Sequence, residues 1–431
     1  MGLILKKIQS GTRKLTNIGN FPFWCAGAVT GLAASGYALV FKYAANYGHT
    51  LFLNSPRLWW GIAPILFFCS VYLVKRFSPE ASGSGIPQVM ASILHSENSD
   101  STWLNRLLGL RVAMVKVASS LLAALAGGTI GREGPTIQIG ASLFTWIGKK
   151  MKRDLTAEER QAFILAGGAA GLAAAFNTPL GGIVFAIEEL ARDAFRAFRT
   201  SVLLGVIVSG VAAQWVLGSY LYLGKPESLH VDWISIGFSL LLGASAGAAG
   251  AGFGRVLFYS MGKVNHLSSK IGMLGVFILL MLITGACAFL TKGDSLGPGI
   301  EQITHLLLNQ QSIEWWMIPL RFISTVTSYL FGSAGGIFSP SLTIGAEIGR
   351  WIAELLRLNA NDSSLFVMLG MVGFMSGMSY APFTSLVLVL EMTDCSNAIF
   401  PMMLSAVTAL EVAHLIHPHS FYERASRRYL H

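Results

Sequence analysis

The sequence predicts an all-α polytopic membrane protein, and three observations carry that prediction. Hydrophobic residues make up 53% of the 431 residues and charged residues only 12%, about half the charged share of an average soluble protein. The apolar residues fall in a long series of segments that Gly, Pro and Ser interrupt. The two halves of the chain carry matching landmarks in the same order. A soluble fold of this length needs far more charge to cover its surface, whereas 47 glycines suit helices that approach closely in lipid.

Taken in order, residues 1–20 carry Lys6, Lys7, Arg13 and Lys14 and read as a cytoplasmic amphipathic helix. No small-residue cleavage site follows, so the helix is expected to lead into a retained first span. Residue 6 is not Ser or Thr, so Gly2 is no myristoylation site. Residues 21–41 and 58–74 are clean spans. Later apolar segments are irregular: 107–128, 136–148, 162–175, 181–189, 201–223, 233–258, 271–291, 314–332, 341–356, 365–376, 383–391 and 398–416. Several fall short of the ~20 residues that cross a bilayer. Backbone freed at such breaks must face protein or a water-filled cavity, the pattern of a transporter or channel with a midplane site. Polar links at 95–102, 151–160, 225–230, 292–295 and 359–364 are too short for another domain. The expected organisation is a first transmembrane repeat at 21–224, a link at 225–232, a second repeat at 233–416 and a cytoplasmic C-terminal helix at 417–431.

The net charge of +9 excludes less than its size suggests. Further basic clusters lie at Lys149, Lys150, Lys152 and Arg153, at Arg192, Arg196 and Arg199, and at Arg424, Arg427 and Arg428. No aromatic residues lace them into a stripe, so they read as positive-inside charge and contacts to membrane lipid, with no nucleic acid partner. On that rule both termini are cytoplasmic. Cys25, Cys69, Cys287 and Cys395 have no metal-ligand spacing and read as reduced thiols. No metal and no cofactor is expected.

The repeat is explicit. Gly131-Arg132-Glu133-Gly134-Pro135 aligns with Gly336-Ile337-Phe338-Ser339-Pro340 at an offset of 205, and Gly140 then aligns with Gly345. Asn177-Thr178-Pro179-Leu180 aligns with Tyr380-Ala381-Pro382-Phe383 at an offset of 203, which pairs Glu188 with Glu391. The repeat alone leaves parallel and inverted halves both open.

Three Gly-rich breaks stand out: Gly83-Ser84-Gly85-Ile86-Pro87, Gly131 to Pro135, and Gly335 to Pro340, with a weaker fourth around Tyr422. Gly permits close backbone approach and Pro suits a first helical turn. Each break therefore presents a helix N-terminus, whose orphan N–H groups and dipole attract anions. Converging N-termini would hold a partly dehydrated anion without a fixed cation, which helps release. Ser84 adds a hydroxyl donor.

Glu133 is the sharpest single residue. An ionisable group inside an apolar stretch is a functional candidate, and at a helix start its carboxylate competes with an anion for the same N–H groups. Its repeat partner is Phe338, which cannot titrate. Glu188 is repeated as Glu391 and reads as architecture, such as pairing with Arg192 or Arg196. Glu189 aligns with Met392 and suits a one-sided role such as passing protons. Lys116, inside residues 112–125, fits either a pore-lining cation or a structural ion pair. An intramembrane serine protease is disfavoured, because no His lies in a matching break.

GSGIP at 83–87, GREGP at 131–135 and GIFSP at 336–340 resemble, in order and spacing, the signature motifs of the CLC chloride channels and transporters. Residues 165–189 and Leu390-Glu391-Met392-Thr393-Asp394 resemble the prokaryotic members, and the likeness runs from about residue 25 to 428. The resemblance implies a CLC-type fold, two inverted-topology halves of tilted, broken helices, with two pore-bearing subunits in a homodimer. It implies that Ser84 and Tyr422 offer hydroxyls to chloride and that Ile337 and Phe338 offer backbone N–H groups. Tyr429 is the alternative inner tyrosine. Glu133 would be the gating glutamate, Glu189 the inner proton glutamate of the exchanger branch, and Lys116 a buried lysine before the second motif. The implied activity is electrogenic exchange of chloride for protons, and the implied residence is the bacterial inner membrane; a passive voltage- or pH-gated channel of the same fold is the alternative, and no enzymatic activity is implied.

Overall fold

A computed structural model describes residues 20–95, 101–152, 155–190, 200–218, 221–226, 231, 233–309 and 311–430. The amphipathic helix expected before residue 20 and the basic residues Arg153, Arg192, Arg196 and Arg199 lie outside them. Among the described residues the chain is helical, with only two isolated bridges of extended backbone.

The first half contains α1 (Phe21–Asn54), α2 (Pro56–Phe77), α3 (Ile86–Leu94), α4 (Ser101–Leu108), α5 (Leu110–Leu125), α6 (Glu133–Met151), α7 (Ala157–Phe176), α8 (Pro179–Phe185) and α9 (Thr200–Leu217). The second contains α10 (Trp233–Leu290), α11 (Ile300–Leu308), α12 (Met317–Leu330), α13 (Phe338–Leu355), α14 (Ala360–Ser379), α15 (Pro382–Thr393), α16 (Ile399–Ile416) and α17 (Phe421–Ser426). α10 is two spans joined at Gly272, whose φ of 75° is not helical. Among the described residues seven segments are long and apolar enough to cross a bilayer. At 34 residues, α1 is about 51 Å long, so it crosses ~30 Å of hydrocarbon only with tilt.

The outer surface is apolar. Trp215 is 83% exposed, Phe400 73% and Leu415 86%, a covering that suits lipid and would aggregate in water. Polar groups turn inward, where Ser and Thr hydroxyls bond backbone carbonyls. Two helix pairs cross closely: Gly140 of α6 packs on the Gly167 backbone of α7, and Gly345 of α13 packs on the Gly370 backbone of α14. These are repeat-related crossings, and the matching glycines are there because a Cβ would strike the facing carbonyl.

The expected spans are found with shifted ends, and two helices were not expected. α11 carries Glu301, Gln302 and His305 among its nine residues, which breaks the apolar run that reveals a span. It mirrors α3, also nine residues, and both follow a left-handed Gly, Gly85 and Gly299. α4 begins inside what read as a polar link. In the link between halves, Lys225 pairs with Asp394 at 2.7 Å, and that hydrogen bond holds the exposed Lys225 ammonium above its usual pKa range.

Candidate functional site

The Gly-rich breaks meet in the interior. Gly131 and Gly336 exchange two backbone hydrogen bonds of 2.7 Å in an antiparallel bridge, as motifs from oppositely directed halves would. Gly83 donates to the Ser333 carbonyl and accepts from Gly335 N–H. These bonds place the N-termini of α3, α6 and α13 around one centre. α17 completes it: the Tyr422 ring stacks on Phe338 with centroids 6.3 Å apart, and Phe176 and Phe185 close around Phe338 from outside. The π-helical turn Ala186–Leu190 carries Glu189 into the interior nearby, and such turns recur at functional sites.

Ser84 and Tyr422 are the informative pair. Both are buried, they lie near one another, and among the described residues neither hydroxyl has a protein partner that meets hydrogen-bond geometry. Buried hydroxyls are normally satisfied, so two orphans in one neighbourhood fit a bound anion. First-turn N–H groups have no intrahelical acceptor. Among the described residues no protein acceptor takes the N–H of Ile337 or Phe338. Tyr429 lies instead in the turn Arg427–Tyr429, so the structure brings Tyr422, not Tyr429, to the centre.

Gly134 is the tightest contact of this group, because a Cβ there would strike both the hydroxyl and the carbonyl of Ser84. Gly134→Ala is therefore expected to displace Ser84, at an overpacking cost of about 1–3 kcal/mol to the fold, and to weaken anion binding there. Calorimetric titration of the purified protein with chloride checks this. Unchanged affinity would remove Ser84 from the site.

Glu133 begins α6 and is 1% exposed. One carboxylate oxygen accepts from Ser339 Oγ at 2.6 Å, while the other has no protein partner. A cavity of about 550 Å³ reaches it, lined also by Arg132, His49, Asp294 and Arg321. Glu133 thus lines this cavity and also lies close to the buried hydroxyl of Tyr422. Tyr422 lies within electrostatic reach of both Glu133 and Glu189, so the two carboxylates share one neighbourhood.

The remaining sequence candidates act on the frame. The Arg132 guanidinium donates to the Ala38 carbonyl at 2.7 Å and lies over the Tyr222 ring. Lys116 is fully buried and donates to the Gly83 carbonyl at 3.0 Å. Of the two readings open for it, the ion pair is not what the structure contains; the ammonium anchors the first motif through a carbonyl. Arg192 and Arg196 lie outside the described residues, but Glu188 is engaged elsewhere. Its carboxylate accepts from the N–H groups of Phe383 and Thr384, and Glu391 accepts from those of Leu180 and Gly181. Each repeat therefore caps the start of the other's helix, α15 and α8, where a carboxylate is favoured. This reciprocity explains the repeated glutamate.

Four residues escaped sequence reasoning. Ser339 holds Glu133; its position opposite Gly134 in the repeat was the available signal. Tyr329 accepts from the Ser84 N–H at 3.5 Å, with no sequence signal. Arg321 and Glu347 form a buried ion pair at 2.6 Å, invisible because they lie 26 residues apart in separate helices.

The match to known proteins spans the three Gly-rich breaks, Glu133 and Glu189. Residues 66–414 match the family model described as voltage gated chloride channel. An H(+)/Cl(-) exchange transporter ClcA from Yersinia pseudotuberculosis is 32% identical over 84% of this chain and 76% of its own length. The ClcA from Vibrio campbellii is 30% identical over 86% of this chain and 79% of its own. Among solved structures, a slow cyanobacterial Cl-/H+ antiporter superposes with a TM-score of 0.79 at 27% identity, over 95% of this chain and 98% of that one. A CLC-type fluoride/proton antiporter shares the fold, with a TM-score of 0.77 at 22% identity over 95% of this chain and 97% of that one.

Proposed function

Because this chain belongs to the voltage gated chloride channel (CLC) family, we propose that it is an electrogenic antiporter that moves chloride across a membrane in exchange for protons. The observation that carries the reading is the pair of buried carboxylates, Glu133 and Glu189, beside two orphaned hydroxyls that suit chloride. Charged Glu133 occupies the anion path and competes with chloride for the helix N-termini. Protonated Glu133 leaves it, chloride advances past Ser84, Tyr422 and the N–H groups of Ile337 and Phe338, and the proton exits by way of Glu189. Chloride moving one way and protons the other carry charge in the same sense, so membrane potential drives the cycle. The same carboxylate gates both ions, so coupling needs no domain movement. No cofactor enters the scheme.

The relatives' description as H+/Cl− exchangers supports this reading over a passive channel. The protein would reside in the bacterial inner membrane with both termini cytoplasmic. A second copy would cover the exposed Leu180, Val211, Phe383 and Phe400, apolar positions drawn from both repeats, to make a homodimer.

Reconstitution in liposomes under a chloride gradient, with external pH recorded, tests the proposal. Uphill proton movement and a reversal potential between those of chloride and protons are expected. Chloride flux with no pH change would make the protein a channel. Glu189→Gln is expected to lower proton flux to background while chloride flux persists; normal exchange in that variant would make Glu189 structural.

A further inference from the structure

A second cavity, of about 680 Å³, lies away from the anion path and is lined by Arg255, Phe258 and Tyr259 of α10 and by His417, Arg424 and Arg428 near the C-terminus. Among the described residues no acidic side chain lines it. The guanidinium of Arg424 lies 3.9 Å from the centroid of the Phe258 ring, and that of Arg428 lies 4.3 Å from it. Stacking on an aromatic ring fixes a guanidinium in place without using its N–H groups. Among the described residues, neither these two guanidiniums nor that of Arg255 makes an ion pair or side-chain hydrogen bond with the protein. Glu423, the one acid on α17, does not line the cavity and is engaged by Arg427 and His419, each at 2.9 Å. His417 is fixed in turn, since Tyr380 Oη donates to its carbonyl at 2.6 Å.

Three like charges brought together this way repel, and their free planar forks match the oxygens of a phosphate. The setting narrows the ligand. Arg255 belongs to a span, Ser235–Val264, and beside it Val256 and Tyr259 are 43% and 63% exposed. The cavity thus combines a cationic wall with an apolar flank at the membrane perimeter, and basic pockets between spanning helices bind anionic headgroups. We propose that this cavity binds a phosphate-bearing anion, the phosphodiester headgroup of an anionic membrane lipid.

Native mass spectrometry of the purified full chain, incubated with phosphatidylglycerol or phosphatidylcholine, tests the site. Phosphatidylglycerol should be retained in preference to phosphatidylcholine. Each arginine removed should weaken retention about fivefold, so Arg424→Gln/Arg428→Gln should weaken it by about 25-fold. Arg427→Gln, outside the cavity, should leave it unchanged. Should the double variant fail to fold, the exposed Arg428→Gln alone carries the comparison. Displacement of the lipid by excess inorganic phosphate would support the anion site with the free ion as its ligand. Resistance to phosphate would support the lipid. Equal retention of both lipids, or undiminished retention of phosphatidylglycerol in the variants, would overturn the proposal.

Discussion

Glu133→Gln is expected to reduce proton transport to background while chloride still passes. Glutamine keeps the size of the side chain and can still accept from Ser339 Oγ, which now lies 2.6 Å from the carboxylate. The fold around the first turn of α6 is therefore preserved. What disappears, in the proposed cycle, is the ability to alternate between a charged form that fills the anion path and a neutral form that leaves it. Because one carboxylate serves both ions in the proposed cycle, its loss uncouples them instead of slowing both. Parallel recordings of chloride and pH from liposomes check this, and proton pumping retained by the variant would sink the scheme. The contrast with Glu189→Gln is informative: if Glu189 only relays protons, both variants lose proton flux, but only the change at Glu133 also removes the competitor from the chloride path.

Arg321→Met is expected to destabilise the protein by about 3–5 kcal/mol, the cost of leaving one member of a buried ion pair alone. Arg321 and Glu347 are 1% and 0% exposed, with Nε and the carboxylate 2.6 Å apart. Arg321 also donates to the Asp294 carbonyl, tying α12 and α13 to the loop that lines the outer cavity. The charges are not fully satisfied, since Glu347 retains one oxygen and Arg321 one nitrogen without a partner. The double change Arg321→Met/Glu347→Leu should therefore recover most of the loss, because removing both charges is often neutral. Thermal denaturation in detergent separates the two cases. Equal stability of Arg321→Met and the parent would show that the pair carries no net desolvation burden.

The membrane class, the spans and the candidate anion site were legible because each leaves a local mark. Low charge and apolar length report the bilayer. Gly and Pro report helix breaks. The repeat made Glu133 conspicuous against Phe338 and made Glu188 predictable as architecture. What those glutamates bond to was not legible: Glu188 and Glu391 each reach a helix about two hundred residues away, and only the crossed packing of the halves brings a carboxylate to the other repeat's N–H groups.

By itself, the sequence determined the composition of the parts: helices, their breaks, and the residue types that can meet an anion or carry a proton. Only the tertiary structure decided which parts converge. Gly131 and Gly336 join across the interior, Tyr422 instead of Tyr429 faces Ser84, Lys116 holds a carbonyl instead of an acid, and Ser339 restrains Glu133. The physical reason is that a local pattern fixes periodicity and capping within a few residues, whereas a buried polar atom finds its partner wherever packing delivers one, at any distance along the chain.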